Sequence, residues 1–187
     1  MKGKFVKLGN YFRIIAVKKL MYRLGGIDLK GVKISSDTVL YGNVKLSPGV
    51  ELRGNVYVST ATIGKNVVIE RNASIIGVEK TPLVIGDETY IGHNCIIDGA
   101  GGLEIGDYVH ISANVSVWTH NAVMKSIRGL ELKSPDGRVE KKTVINSNVW
   151  IGGNSTVFPG IEIGSFSMIS PGSNVDTDVK EKSKFSH

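Results

Sequence analysis

One cysteine, five prolines and no long apolar run set the first limits on this 187-residue chain. A single thiol, Cys95, cannot close an internal disulfide, so packing alone must hold the fold, as suits a reducing compartment. Five Pro against 23 Gly point to many tight corners rather than a proline-rich linker. The longest early apolar run, Ile14 to Val17, is too short to span a bilayer or form a signal-peptide core, which leaves the cytoplasm as the default compartment. With 41% hydrophobic and 21% charged residues the chain is neither disordered nor collagenous, and it can bury one sizeable core.

Acid is absent from residues 1–27, which carry Lys2, Lys4, Lys7, Arg13, Lys18, Lys19 and Arg23. That segment holds +7, and the remaining 16 basic and 17 acidic residues sum to −1. The formal charge of +6 therefore belongs to the N-terminal segment. A nearly neutral body does not resemble a nucleic-acid reader.

What the chain has is a repeat. Val or Ile recurs at positions 44, 50, 56; 63, 69, 75; 85, 91, 97; 105, 111, 117; 145, 151, 157; and 163, 169, 175. Gly often follows at once, as at Gly64, Gly86, Gly92, Gly106, Gly152 and Gly164. Four positions on, the residue is usually small: Ala73, Thr89, Cys95, Val109, Val115, Val149, Ser155, Ser167 or Ser173. A helix would need spacings of three and four, so a strict six excludes it. Six residues fit a short strand and a corner, three such units make one coil, and stacked coils bury the Val/Ile columns in one core.

The errors in spacing carry further information. Between triples the excess over six is one (56 to 63), four (75 to 85), two (97 to 105), twenty-two (117 to 145) and none (157 to 163). Complete triples separate these breaks, so the insertions stack on one corner, and such a corner is often the working face.

These residues resemble the hexapeptide-repeat acyltransferases over roughly residues 32 to 178, most specifically in "INSNVWIGGNSTVFPGIEIGSFSMISPGS", Ile145 to Ser173. The pairing of "ISANVSVWTH" with a later "NVWIG" is similar to the branch holding maltose, galactoside and polysaccharide O-acetyltransferases. The resemblance implies an all-β, left-handed parallel β-helix, a homotrimer, acetyl-CoA as acyl donor and a sugar-type acceptor. It also implies O-acetylation in surface-polysaccharide or glycolipid assembly. N-acetylation of an amino sugar nucleotide or serine acetylation, and a silent scaffold, stay open as alternatives.

His120 stands three positions past Val117, where the long insertion begins. Imidazole suits removal of a proton from an attacking hydroxyl, and the resemblance places the family's catalytic histidine here. An ordinary loop histidine is the alternative. By the same resemblance Gly153 is the backbone oxyanion donor, with a glycine needed only for the corner as the alternative, and Trp150, Gly152, Gly153 and Pro171 line the groove for the pantetheine arm, with Trp150 alternatively a packing residue between subunits. Asp98, in "CIIDGAGG", precedes the two-residue insertion and is a candidate for binding the acceptor or orienting the imidazole, or else a turn residue; Asn94 and Asn121 are further acceptor-binding candidates. His93, His110 and His120 are spaced by 17 and 10, unlike the zinc histidines of the γ-class carbonic anhydrases, and no metal is expected. Cys95 falls in the small-residue column and reads as core.

The chain divides into an amphipathic helix over 1–27, a β-helix domain over 28–178 with an inserted loop 121–142, and a tail over 179–187. Within the loop, Ser134-Pro135-Asp136-Gly137 predicts the turn of a projecting hairpin. The tail departs from the family: the usual Gly-Asn-Pro-Ala-Lys run, which helps enclose the nucleotide end of coenzyme A, has no counterpart in "SNVDTDVKEKSKFSH". In the N-terminal segment Ile14, Val17, Met21 and Leu24 follow helical spacing, with Phe5, Leu8, Phe12 and Ile15 beside them, and Gly25-Gly26 supply a stop. Its apolar face either caps the open end of the solenoid or, through residues 1–24, meets an anionic membrane surface at the inner face of the membrane.

Overall fold

The computed structural model describes residues 15–186. They form a left-handed parallel β-helix of triangular section. Its three faces are parallel sheets of eight, seven and six strands, each strand pairing with those one coil before and after it. The first face begins at Lys33–Ile34 and ends at Lys184–Phe185, the second runs from Val39–Tyr41 to Asn174–Val175, and the third from Lys45–Leu46 to Glu162–Ile163.

Strands of two or three residues would not stand alone. Stacking supplies their stability: Ile69, Ile91, Ile111, Ile151 and Ile169 point inward from the first face with no measurable exposure. Val58, Ile75, Ile97, Val117, Val157 and Val175 do the same on the second, and Ile63, Ile145 and Ile163 on the third. Each such side chain contributes about 1.5–3 kcal/mol relative to exposure. The small fourth-position residues form a second buried column, with Ala73, Cys95 and Val115 fully enclosed and Ser155 and Ser173 about 1% exposed.

The register corrects the first triple. Leu46 pairs with Ile63, Leu52 with Ile69 and Val58 with Ile75. Leu46, Leu52 and Val58 therefore hold the main column, while Val44, Val50 and Val56 fill the corner column that small residues occupy later. The step from Val58 to Ile63 is one residue short of six, a contraction and not an insertion. The sequence misled because valine fits both columns. The remaining insertions do share the corner between the second and third faces.

The other two corners repeat. Asn55, Asn72, Asn94, Asn114 and Asn154 turn the first-to-second corner at φ between 53° and 63°, in the left-handed region where asparagine is tolerated. Their amides form a ladder, each side-chain N–H donating to the next Oδ1 at 3.0–3.1 Å. The third-to-first corner is turned likewise at Asn66, Glu88, Tyr108, Asn148, Phe166 and Lys182.

Both ends differ from expectation. Val179 bridges to Ile163, and Lys184–Phe185 pairs with Met168–Ile169, so the coil continues through the segment read as a tail. At the N-terminal end, residues 15–24 form helix α1. Its solenoid-facing side combines half-buried Ile15 and the Tyr22 ring, which packs against the core, with polar tips: Lys18 Nζ donates to the carbonyls of Ser36 and Thr38 at 2.7 and 2.6 Å, Lys19 Nζ to Val32 at 3.2 Å, and the Tyr22 hydroxyl to Thr38 at 3.0 Å. These groups satisfy edge carbonyls of the first coil, whose interior Ile27 and Leu29 already plug. Val17, Leu20, Met21 and Leu24 point away and are 57–80% exposed, so the apolar face is not the cap. Ile14, Phe5, Leu8 and Phe12 lie outside the described residues.

Candidate active site

The second-to-third corner widens in two steps. Strand Ile96–Asp98 leaves the second face into the short insertion Gly99–Gly102, and one coil later Ser116–Val117 leaves it into the long one. Asp98 and His120 thereby come to one opening, the histidine one coil beyond the carboxylate. His120 Nδ1 lies 2.8 Å from Asp98 Oδ2. The carboxylate is buried, 3% exposed, and the same oxygen accepts the Thr119 backbone N–H at 3.0 Å and the Thr119 hydroxyl at 2.7 Å. That hydroxyl in turn accepts the Gly101 N–H at 2.8 Å.

Burial alone would raise the Asp98 carboxyl, but hydrogen bonds from the Thr119 side chain, from His120 and from the Thr119 backbone outweigh it and hold it below the usual carboxylate range. An ionised Asp98 accepts a hydrogen bond from Nδ1–H, which leaves the lone pair of the neutral ring on Nε2. His120 keeps about a quarter of its side chain exposed, and Trp118 packs edge-on against it at 6.2 Å between ring centroids. A half-open imidazole with one nitrogen anchored to a buried anion is arranged to accept a proton at the other.

Of the two roles read for Asp98, orienting the imidazole fits the geometry, because its contacting oxygen is spent inside the protein. Asn94 does not join the site: it stands at the first-to-second corner with its amide engaged on both sides in the asparagine ladder. Asn121 follows His120 in a strand that pairs antiparallel with Val139–Glu140. This ladder closes the base of the insertion, and Val123–Ile127 forms helix α2, whose residues are all unburied. The hairpin centred on residues 134–137 is thus replaced by a paired base with a short helix in its arm. Lys125 Nζ organises that arm by donating to the carbonyls of Leu132 and Ser134. Thr119 is the residue that spacing did not reveal; its only sequence signal is its place directly before the histidine.

Trp150, Gly152, Gly153 and Pro171 gather elsewhere, on the first face and its corner with the second. Trp150 stands half-buried on the outside between His110 and Met168. A Cβ on Gly152 would come within 2.5 Å of the Pro171 nitrogen, so only glycine allows this stacking. The Gly153 carbonyl accepts the Gly172 N–H at 2.9 Å, while its own N–H has no acceptor among the described residues. This cluster and the His120 pair stand at opposite ends of the second face.

The remaining histidines have separate surroundings. His93 Nε2 is 3.7 Å from Glu70, and His110 stacks on Tyr90 at 4.5 Å with burial holding its pKa down. Among the described residues no three His, Cys, Asp or Glu side chains group as metal ligands. Cys95 is buried, which pushes its thiol pKa up, away from nucleophilic use.

Residues 82–118 and 142–176 match the hexapeptide repeat of succinyl-transferase. Over these two stretches the chain is similar to the hexapeptide-repeat acyltransferases. A Saccharomyces cerevisiae protein whose name gives acetyl transfer as its expected activity is 37% identical over 102 residues, covering 53% of this chain and 48% of that protein. The bifunctional protein GlmU of Listeria welshimeri is 27% identical over 183 residues, covering 80% of this chain and 36% of GlmU. The chain thus spans about half or less of these relatives' length. Among solved structures, AntD, an N-acyltransferase from Bacillus cereus in complex with dTDP and 3-hydroxybutyryl-CoA, superposes with a TM-score of 0.53 at 18% identity, over 91% of this chain and 83% of AntD, which shows the shared fold.

Proposed function

We propose that this protein is an acetyl-CoA-dependent O-acetyltransferase that acts on a sugar hydroxyl in surface-polysaccharide or glycolipid assembly. The observation that carries the reading is the buried Asp98 carboxylate hydrogen-bonded to the half-open His120. A scaffold gains nothing from an anion kept ionised behind an imidazole, whereas a general base gains a fixed tautomer.

In the reaction His120 Nε2 takes the acceptor's hydroxyl proton as the oxygen attacks the thioester carbonyl. Asp98 stabilises the imidazolium that forms. The new oxygen–carbon bond is made as the carbon–sulfur bond breaks, and the proton passes from His120 to the departing sulfur. The free Gly153 N–H suits the developing oxyanion, and Trp150, Gly152 and Pro171 form the wall that would hold the donor's pantetheine arm. No covalent acyl-protein step is needed, and the buried Cys95 supplies none.

Because the histidine and the Gly153 cluster end opposite sides of one face, the reading places the complete site between copies of the chain, with the corner of one meeting the face of another. A closed trimer satisfies this with identical contacts. The test is thiol release from acetyl-CoA with a panel of soluble sugars, lipid-linked sugars and amino sugars. His120→Ala is expected to lower the rate by about 10²–10⁴ while the thermal midpoint stays in place. Near-wild-type turnover would remove His120 from the mechanism, and transfer to amines alone would replace O- with N-acetylation.

A further inference from the structure

The polar tips of Lys18, Lys19 and Tyr22 tie helix α1 to the solenoid, and Val17, Leu20, Met21 and Leu24, at i, i+3, i+4 and i+7, form a continuous outward stripe. Four large apolar side chains in one row, 57%, 57%, 64% and 80% exposed, call for a covering surface.

We infer that this stripe is an interfacial anchor that lies in the headgroup region of an anionic membrane. Charge selects the occupant. Residues 1–27 hold seven Lys or Arg and no acid, while the rest of the chain is nearly neutral. Two copies pressed stripe to stripe would set Lys19, Arg23 and Lys30, which flank the row, against their counterparts, whereas an anionic leaflet attracts them. Beside Leu20 an open cleft between the helix and residues 28–30 gathers Lys19, Arg23 and Lys30, with Asp28 as the acid in its lining. Cations flanking an apolar row suit a phosphate headgroup above an acyl surface. Among the described residues no helix is long and apolar enough to cross a membrane, which is consistent with a helix lying in the interface. This anchor does not depend on the reaction proposed above, although it would bring the solenoid to lipid-linked acceptors.

Co-sedimentation of the full chain with phosphatidylcholine vesicles, with and without phosphatidylglycerol, tests it at low and high salt. Binding is expected only with the anionic lipid, weakening as salt rises. Leu20→Ser combined with Met21→Ser and Leu24→Ser should cut it at least about ten-fold with an unchanged thermal midpoint, since none of the three is buried. Arg23→Glu with Lys30→Glu should remove most of the salt-sensitive part. Absence of binding, binding that survives the triple serine variant, or a lipid-free mass that falls in that variant would each overturn the proposal, the last by assigning the stripe to a second copy.

Discussion

Two corners bound the second face, and they are built on opposite principles. The first-to-second corner repeats one device, a left-handed asparagine whose amide hydrogen-bonds to the next, from Asn55 through Asn154. The second-to-third corner repeats nothing: it is short by one residue after Val58, then takes up four, two and twenty-two extra. Regular stacking consumes side chains, because the amides of Asn72, Asn94 and Asn114 are each spent on both neighbours. Release from stacking frees them, and there Asp98, Thr119 and His120 assemble.

The comparison predicts that damage at the two corners reads out differently. The largest effect is the loss of rate in His120→Ala given above. Next is Asp98→Asn, which removes a charge-assisted hydrogen bond worth about 1.5–3 kcal/mol and should slow transfer by about 10- to 150-fold. The same variant should alter the acid limb of stability. Asp98 has a depressed folded pKa, so its contribution is present above the unfolded value of about 3.9 and lost as pH falls through the lower folded value. Asp98→Asn should lack that loss, as thermal midpoints measured down the acid range would show; an identical acid limb would mean that Asp98 is not held ionised.

At the regular corner the sign reverses. Asn114→Ala puts a Cβ-bearing residue without a compensating amide at φ 59° and cuts the ladder on both sides. A cost of about 1–3 kcal/mol is expected, read as a lower midpoint with normal turnover of the folded fraction. Asn114→Gly, free of the left-handed penalty, should recover part of it. The smallest effect belongs to the arm of the insertion: replacing residues 124–137 by a short Gly-Ser link should move stability by no more than about 0.5 kcal/mol, since α2 buries nothing. A large fall would show that the arm is part of the folding unit.

Much of this was legible in the chain because six-residue periodicity is a backbone property written in Val and Ile. The solenoid, the shared corner of the insertions and the place of His120 follow from it. The register of the first coils did not, because Val44, Val50 and Val56 look like main-column residues and only strand pairing tells them from Leu46, Leu52 and Val58. Asn94 looked like a site residue because an asparagine at a corner gives no sign of which neighbour its amide meets. The orientation of α1 was also hidden: helical spacing defines a stripe, but lysines that satisfy edge carbonyls can turn it outward. Thr119 was silent because a hydroxyl bridging Gly101 and Asp98 leaves no pattern.

The central claim is that the two corners work together across a boundary between chains, His120 from one and the Trp150 to Gly153 wall from another. Subunit mixing tests it most directly. His120→Ala and Trp150→Ala chains, each inactive alone, are unfolded together, refolded as an equal mixture and assayed for thiol release. Random assembly should restore about a quarter of the wild-type activity per chain, because half the sites draw an intact histidine and half of those an intact wall. A mixture as inactive as its two components would contradict the account and place the whole site within a single chain.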